Sequence, residues 1–324
     1  SNRTARLEYG NRENLKTYFA SDGCNSIVKH GDEYFNIFPT WDWARIPGTT
    51  APHLDEIPLA KKDWMQPGTS KFAGGVSDSI YGATTYAYND RWDGINTEAK
   101  KSWFFFDNEI VCLGAGITSD NEAPIMTSLN QRLANRGDKL TYANVKGAAT
   151  EGTSAEGNNV AWVMYDGVGY AMPNGGNVKA EIKKQSGTWH AINQTQTNDV
   201  FSVTLDHGAK PNNATYAYIV VPEANTADRM AEYAKHKHIA ILSNTPQIQA
   251  VQQTDLGVWQ AVFFEASQYK DKNIALTADR PCAVMIRRMP NGSTVMHVAD
   301  PAQKQQPINI SVKLKGMKKA ATVN

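Results

Sequence analysis

Short runs of β-branched and aromatic residues, separated by Gly- and Asn-rich breaks, recur along the whole 324-residue chain. Runs of this length cannot build long helices, and residues of this type fit a pleated, packed surface. They predict strands over 80–88, 102–106, 109–113, 159–165, 169–172, 178–183, 200–205 and 215–221. That is the pattern of an antiparallel β-sandwich. The run at 102–106 is almost continuous in aromatics, so it is expected between two packed layers and away from a wet edge. One convincing helix is predicted over 226–235, with Met230, Tyr233 and Ala234 on one side, ending in Lys235-His236-Lys237-His238. The strand pattern then restarts over 239–242, 248–251, 258–265, 274–277, 282–287, 294–299 and 308–314. The expected fold class is therefore all-β, with a large antiparallel sandwich over 1–238 and a small sandwich over 239–324.

Near the start, Asn11 suits an N-cap, and Glu13 falls in the first turn, where a helix dipole favours negative charge. Leu15, Tyr18 and Phe19 share a helical face, and Gly23 stands where a left-handed residue would end the helix. A short helix is expected there. The Pro/Gly-rich stretch 49–70 and the small, polar stretch 147–159 are expected to be mobile loops.

A chain of this length can bury a substantial core. Its formal net charge of +1 gives no basic excess, which argues against a dedicated nucleic-acid binder. No apolar run reaches the length of a membrane span, and no signal peptide is visible. The dipeptide Ser1-Asn2 is read as a cloning scar and left out of the fold. Cys24, Cys112 and Cys282 are odd in number and far apart, giving neither a disulfide framework nor metal-type spacing. Cys112 and Cys282 lie in apolar runs and are expected to be buried thiols.

Several stretches also share a family pattern. E-Y-G-N-R-E-N-L (8–15), S-D-G (21–23) and E-Y-F-N-I-F-P-T-W-D-W-A-R-I-P-G-T-T (33–50) are followed by F-A-G-G-V-S-D-S-I-Y-G-A (72–83). K-S-W-F-F-F-D-N-E-I-V-C-L-G-A-G-I (101–117), L-N-Q (129–131), D-H-G-A-K-P-N-N-A-T-Y-A-Y-I-V-V-P (206–222) and R-P-C-A-V-M-I (280–286) continue it in order. The chain resembles the β-domains of polysaccharide lyase family 8, which includes chondroitin AC, hyaluronate and xanthan lyases, and is most similar to the chondroitin AC branch.

The resemblance implies a large central supersandwich followed by a small C-terminal one. It implies an upstream α-helical toroid in the same protein, holding the Asn, His, Tyr and Arg that perform β-elimination on an acidic polysaccharide. This chain would then be the C-terminal part of a secreted or periplasmic enzyme, inactive alone, that shapes one wall of the cleft. Glu8 matches a glutamate that holds the catalytic Arg and His from across the interface; Asn11 matches a sugar-contacting asparagine; Trp64 matches a tryptophan that stacks on substrate. From chemistry alone, Arg12 offers a planar fork to carboxylate or sulfate, against the plainer role of an exposed salt bridge.

In the calcium-binding chondroitin AC lyases, the turn matching Trp41-Asp42-Trp43-Ala44 supplies two acidic residues, and an Asp-Tyr pair follows. Here only Asp42 persists; the others are Ala44, His53 and Leu54, so no resident metal is expected unless Asp55 and Glu56 substitute. Trp41 and Trp43 are then mainly packing residues. His207 is expected as a hydrogen-bonded turn residue, His236 and His238 as a solvated connector, and His190 has no evident partner. Two other classes compete with the lyase: a non-catalytic carbohydrate-binding or structural sandwich, and a glycoside hydrolase. No motif selects the carboxyl pair that a hydrolase needs.

Overall fold

The computed structural model describes residues 5–6, 16–59, 66–67, 70–189 and 192–323. Four sheets stack in layers. A five-stranded sheet (Ser154–Gly157, Asn177–Trp189, Ile192–Ala209, Pro124–Leu133, Thr50–Pro52, in spatial order) covers one face of a nine-stranded antiparallel sheet. The nine-stranded sheet runs from Thr150–Gly152 at one edge to Ala73–Ser77 at the other, with Ala214–Val221, Ile110–Ser119 and Thr97–Phe105 near its middle. Beyond it lie a second five-stranded sheet, Ile239–Asn244 through Thr294–Ala299, and a four-stranded sheet ending at Ala321–Val323.

Alternation along each strand explains the stacking. In Thr97–Phe105, Trp103 enters the core shared with the first five-stranded sheet, whereas Phe104 enters the core on the opposite face. A strand with layers on both sides can be apolar at successive positions, which is why this run reads as continuous. The aromatic stretch is thus placed as expected, although Phe105 reaches solvent. Strand Val258–Phe263 repeats the arrangement. Val258 and Val262 face the nine-stranded sheet, while Trp259, Ala261 and Phe263 face the four-stranded one.

Polar groups also cross this middle layer. Gln249 Nε2 donates to the Lys100 carbonyl at 3.0 Å, Gln260 Nε2 donates to the Phe105 carbonyl at 3.3 Å, and Arg287 Nη1 meets Asp78 Oδ2 at 3.1 Å. The two buried amides link the layers through backbone carbonyls, and the Arg287–Asp78 ion pair adds a charged link.

The helix is Ala227–Lys235, capped by the Thr226 hydroxyl, which accepts from the Arg229 amide at 3.2 Å. Met230 is its buried contact, seated where a Cβ on Gly169 would come within 2.4 Å of its sulfur. Cys112 and Cys282 are buried, as expected, and burial pushes both thiols up to about 12.

Three expectations change. The described part of the early segment is not helical: the Ala20 amide donates to the Thr17 carbonyl and the Asp22 amide to Phe19, both at 3.0 Å, in successive turns. Adjacent Tyr18 and Phe19 are both fully buried, against Trp43, Ile46 and Ile95, and tertiary packing overrides the helical spacing. Gly23 does take a positive φ of 84°. The 147–159 stretch is not a plain loop, since Thr150–Gly152 edges the large sheet and Ser154–Gly157 edges its neighbour. The 49–70 stretch likewise contributes Thr50–Pro52, paired with Pro124–Leu133. Among the described residues, no helix is long and apolar enough to cross a membrane.

Candidate functional site: an aromatic cleft beside the N-terminal segment

Gln131 organises the turn that carries the aromatics. Its side chain, fully buried in strand Pro124–Leu133, donates from Nε2 to the carbonyls of Asp42 (3.0 Å) and Arg45 (2.9 Å). Its Oε1 accepts from the Asp42 amide at 2.8 Å, and its backbone carbonyl accepts from Trp41 Nε1 at 3.2 Å. A single amide therefore dictates the path of 41–45. The preceding 3₁₀ turn, Phe38–Thr40, has Pro39 to pre-set its φ, and Gln185 Nε2 donates to the Thr40 carbonyl at 2.6 Å.

The result is an aromatic platform. Phe38 and Trp41 are stacked at 5.8 Å, Trp43 and Trp189 at 5.1 Å, and Trp41 meets Trp43 edge-on at 5.2 Å. Trp43 is buried and Trp41 half-buried, so the packing role expected of both holds, while Phe38 is 44% exposed. Beside them is a cleft of about 800 Å³ lined by Lys16, 41–44 and 53–59. Among the described residues the lining joins aromatic faces, which suit apolar ring faces, with Lys16 and the carboxylates of Asp42, Asp55 and Glu56.

Asp42 stands on this cleft but is committed. Oδ2 accepts from Arg45 Nε at 2.7 Å and lies 3.1 Å from His53 Nε2; Oδ1 accepts from the Ala44 amide at 3.0 Å. Burial alone would raise its pKa; the His53 hydrogen bond and the Arg45 charge outweigh it and hold the carboxyl below the usual range. Asp42 is consequently a structural anion and a poor general base at neutral pH.

The sugar-contact and supporting residues drawn from the sequence, Glu8, Asn11, Arg12 and Trp64, lie outside the described residues, as does His190. What is described is backbone beside them: Ala5–Arg6 pairs antiparallel with Gln66–Pro67.

A second polar centre escaped the sequence reading. Glu33, with no exposed surface, accepts from the amides of Lys29, His30 and Gly31 at 2.7–2.8 Å. Burial pushes its pKa up, but these hydrogen bonds prevail and bring it down to about 2. Arg132 Nη2 donates to Asp166 at 3.0 Å, while Nη1 lies 3.9 Å from Glu33. His30, Glu33 and Asp166 form the one group of three candidate metal ligands among the described residues. The Arg132 guanidinium already supplies the positive charge there, so the group serves as a clasp between the 29–33 loop and strand Pro124–Leu133.

His207 is hydrogen-bonded as expected, 2.8 Å from Thr127 Oγ1, but it lies within strand Ile192–Ala209, at a register shift against Pro124–Leu133 beside a left-handed Gly208, and not in a turn. Burial lowers its pKa to about 4, and the Lys101 charge works in the same direction against Asp206. His238 pairs with Asp255, and His236 lies 3.7 Å from Glu232, with 59% of its side chain exposed.

Comparison with known proteins places this geometry. Residues 1–234 match the model for polysaccharide lyase family 8, super-sandwich domain, and 240–309 match polysaccharide lyase family 8, C-terminal beta-sandwich domain. The chain is 41% identical over 319 residues to Chondroitinase-AC of Pedobacter heparinus, covering 97% of this chain and 44% of that protein. It is 31% identical over 324 residues to Hyaluronate lyase of Thermasporomyces composti, covering 95% and 40%. A solved chondroitinase AC lyase, described in complexes with oligosaccharide, superposes with a TM-score of 0.88 at 39% identity, over 99% of this chain and 47% of the other. The chain spans less than half the length of these relatives.

Proposed function

Because the chain belongs to polysaccharide lyase family 8, we propose that it is the C-terminal portion of an enzyme that cleaves uronic-acid-containing glycosaminoglycans, chondroitin or hyaluronan in type, by β-elimination. In that reaction a base removes the C5 proton of the uronate, the carboxylate is neutralised, and the C4–O bond breaks to leave an unsaturated sugar. The C5 proton is weakly acidic, so the developing dianion needs converging donors and positive charge. On this reading those groups reside in an upstream α-helical toroid, and the present chain supplies one wall of the substrate cleft. Glu8 braces the catalytic Arg and His, while Asn11, Arg12 and Trp64 contact sugar. The polymeric substrate implies a secreted or periplasmic enzyme.

The observation that supports this most is the continuity of the match, which runs across both sandwiches of the chain. The cleft agrees with it in part: it offers aromatic faces for pyranose C–H faces, Lys16 for a carboxylate or sulfate, and one acid, Asp42, already consumed by hydrogen bonds, beside the exposed Asp55 and Glu56.

The test is ultraviolet detection of the unsaturated uronate formed from chondroitin and hyaluronan. The enzyme carrying its upstream region is expected to be active, the present chain alone to be inactive, and Glu8→Gln in the longer protein to lose roughly 10–100-fold in kcat. Full activity in the isolated chain would refute the division of labour. New reducing ends without a double bond would mark a hydrolase instead.

A further inference from the structure

The turn at 41–45 and the segment entered at His53 converge on one carboxylate. Asp42 Oδ2 lies 2.7 Å from Arg45 Nε and 3.1 Å from His53 Nε2, and Oδ1 takes the Ala44 amide. Arg45 is 4% exposed and lies 3.7 Å from Glu181 Oε1, so its charge is balanced on both sides. The backbone on either side is tied to strand Pro124–Leu133: the His53 amide donates to the Pro124 carbonyl at 2.8 Å, and the Gly48 amide to the Ser128 carbonyl.

The resemblance to calcium-binding chondroitin AC lyases would put a cation at this junction, and the donor set does not fit one. Calcium takes six to eight oxygen ligands. Ala44 and Leu54 have no ligand atom in their side chains, and His53 presents nitrogen. The Asp42 oxygens are occupied by N–H donors, one of them on the Arg45 guanidinium. Asp55 and Glu56 are exposed, and neither joins Asp42 in a group of three candidate ligands among the described residues.

We propose that an Asp42–Arg45–His53 bracket takes the place of a bound cation in pinning the aromatic turn to the 53–59 segment of the cleft, making this wall independent of metal. Arg45 provides the permanent positive charge. His53 provides the tether across the cleft, and Asp42 is a positioning residue that acts through both. The bracket rests on hydrogen bonding, and its comparison with a bound cation rests on the family resemblance; neither depends on lyase activity.

Thermal denaturation and tryptophan fluorescence, each with calcium chloride or with EDTA, test it without any activity measurement. Trp41 and Trp43 flank Asp42 and report on the turn. Neither calcium nor EDTA is expected to move the wild-type Tm or emission. His53→Leu is expected to lower Tm by roughly 2–4 °C and to shift the emission to the red. His53→Gln, whose amide reaches the same carboxylate, is expected to restore both. The double variant Ala44→Asp/His53→Asp returns two oxygen ligands and is expected to gain a calcium-dependent rise in Tm that EDTA reverses. A calcium-dependent rise in the wild type would overturn the proposal. So would a His53→Leu variant identical to wild type in both measurements, or a folded double variant indifferent to calcium.

Discussion

Glu33 and His207 are both buried against polar partners, yet each makes a different demand on pH. The folded-state pKa of Glu33 is near 2, below its ordinary 4.5. Its stabilising contribution is complete above 4.5 and is lost as pH falls from there towards 2. The His207 pKa is also depressed, to about 4 from 6.5, because the fold prefers the neutral ring. Stability therefore begins to fall at about pH 6.5 and continues to fall to about pH 4, as the unfolded chain takes up the proton first. Tm measured from pH 7.5 to pH 3 is expected to show this earlier decline in wild type and a flatter profile above pH 4.5 in His207→Gln. Glu33→Gln is expected to lower Tm at neutral pH and to flatten only the limb below 4.5. Lys101 shows why such residues resist reading in advance. In sequence it begins a K-S-W-F-F-F run and looks like the soluble end of a strand. In the fold it is fully buried, donates to the Gly48 carbonyl, and burial drives its ammonium down to about 7.

Strands were legible wherever apolar residues repeat with a sheet's period, as in 160–165 and 282–288, because burial on one or both faces leaves that trace directly. Pro124–Leu133 was not, since its buried positions include Thr127, Ser128, Asn130, Gln131 and Arg132. Ser128 and Gln131 bond the backbone of 42–45, Thr127 meets Thr50 and His207, Asn130 meets Tyr34 and Tyr170, and Arg132 meets Asp166, and periodicity of hydrophobicity does not record hydrogen bonds. The edge strands at 150–157 were hidden for the opposite reason: with little to bury, they are built from Gly, Ser and Glu. At the tip of the long hairpin Asn177–Trp189/Ile192–Ala209, Gly187 backs onto the 3₁₀ turn, where an added Cβ would come within 2.0 Å of the Pro39 carbonyl oxygen. That neighbour is backbone and cannot swing aside. Gly187→Ala is expected to cost about 1–3 kcal/mol in urea denaturation and to perturb the fluorescence of the Trp43–Trp189 pair.

At the scale of the molecule, the candidate site and the fold differ in what made them readable. Layered β architecture followed from residue pattern, whereas Glu8, Asn11 and Trp64 followed from family likeness and Arg12 from its chemistry, because a ligand contact leaves no periodicity to betray it. The two sandwiches share a continuous apolar layer in which Phe104 and Val111 meet Val251, Val262 and Met285. Calorimetry is accordingly expected to show one transition. Met285→Ala, at a position with no exposed surface, is expected to cost about 2–5 kcal/mol and to shift the whole transition; two separated peaks would contradict the coupling.

The nine-stranded sheet has a packed layer against each broad face over its central strands. Random drift there is restricted to exchanges of matching volume on either side. Novelty in the surface of such a protein has to arise along its margins, in segments such as 53–59, where Leu59 is 85% exposed. Substitution can rewrite those margins and leave the laminated interior untouched.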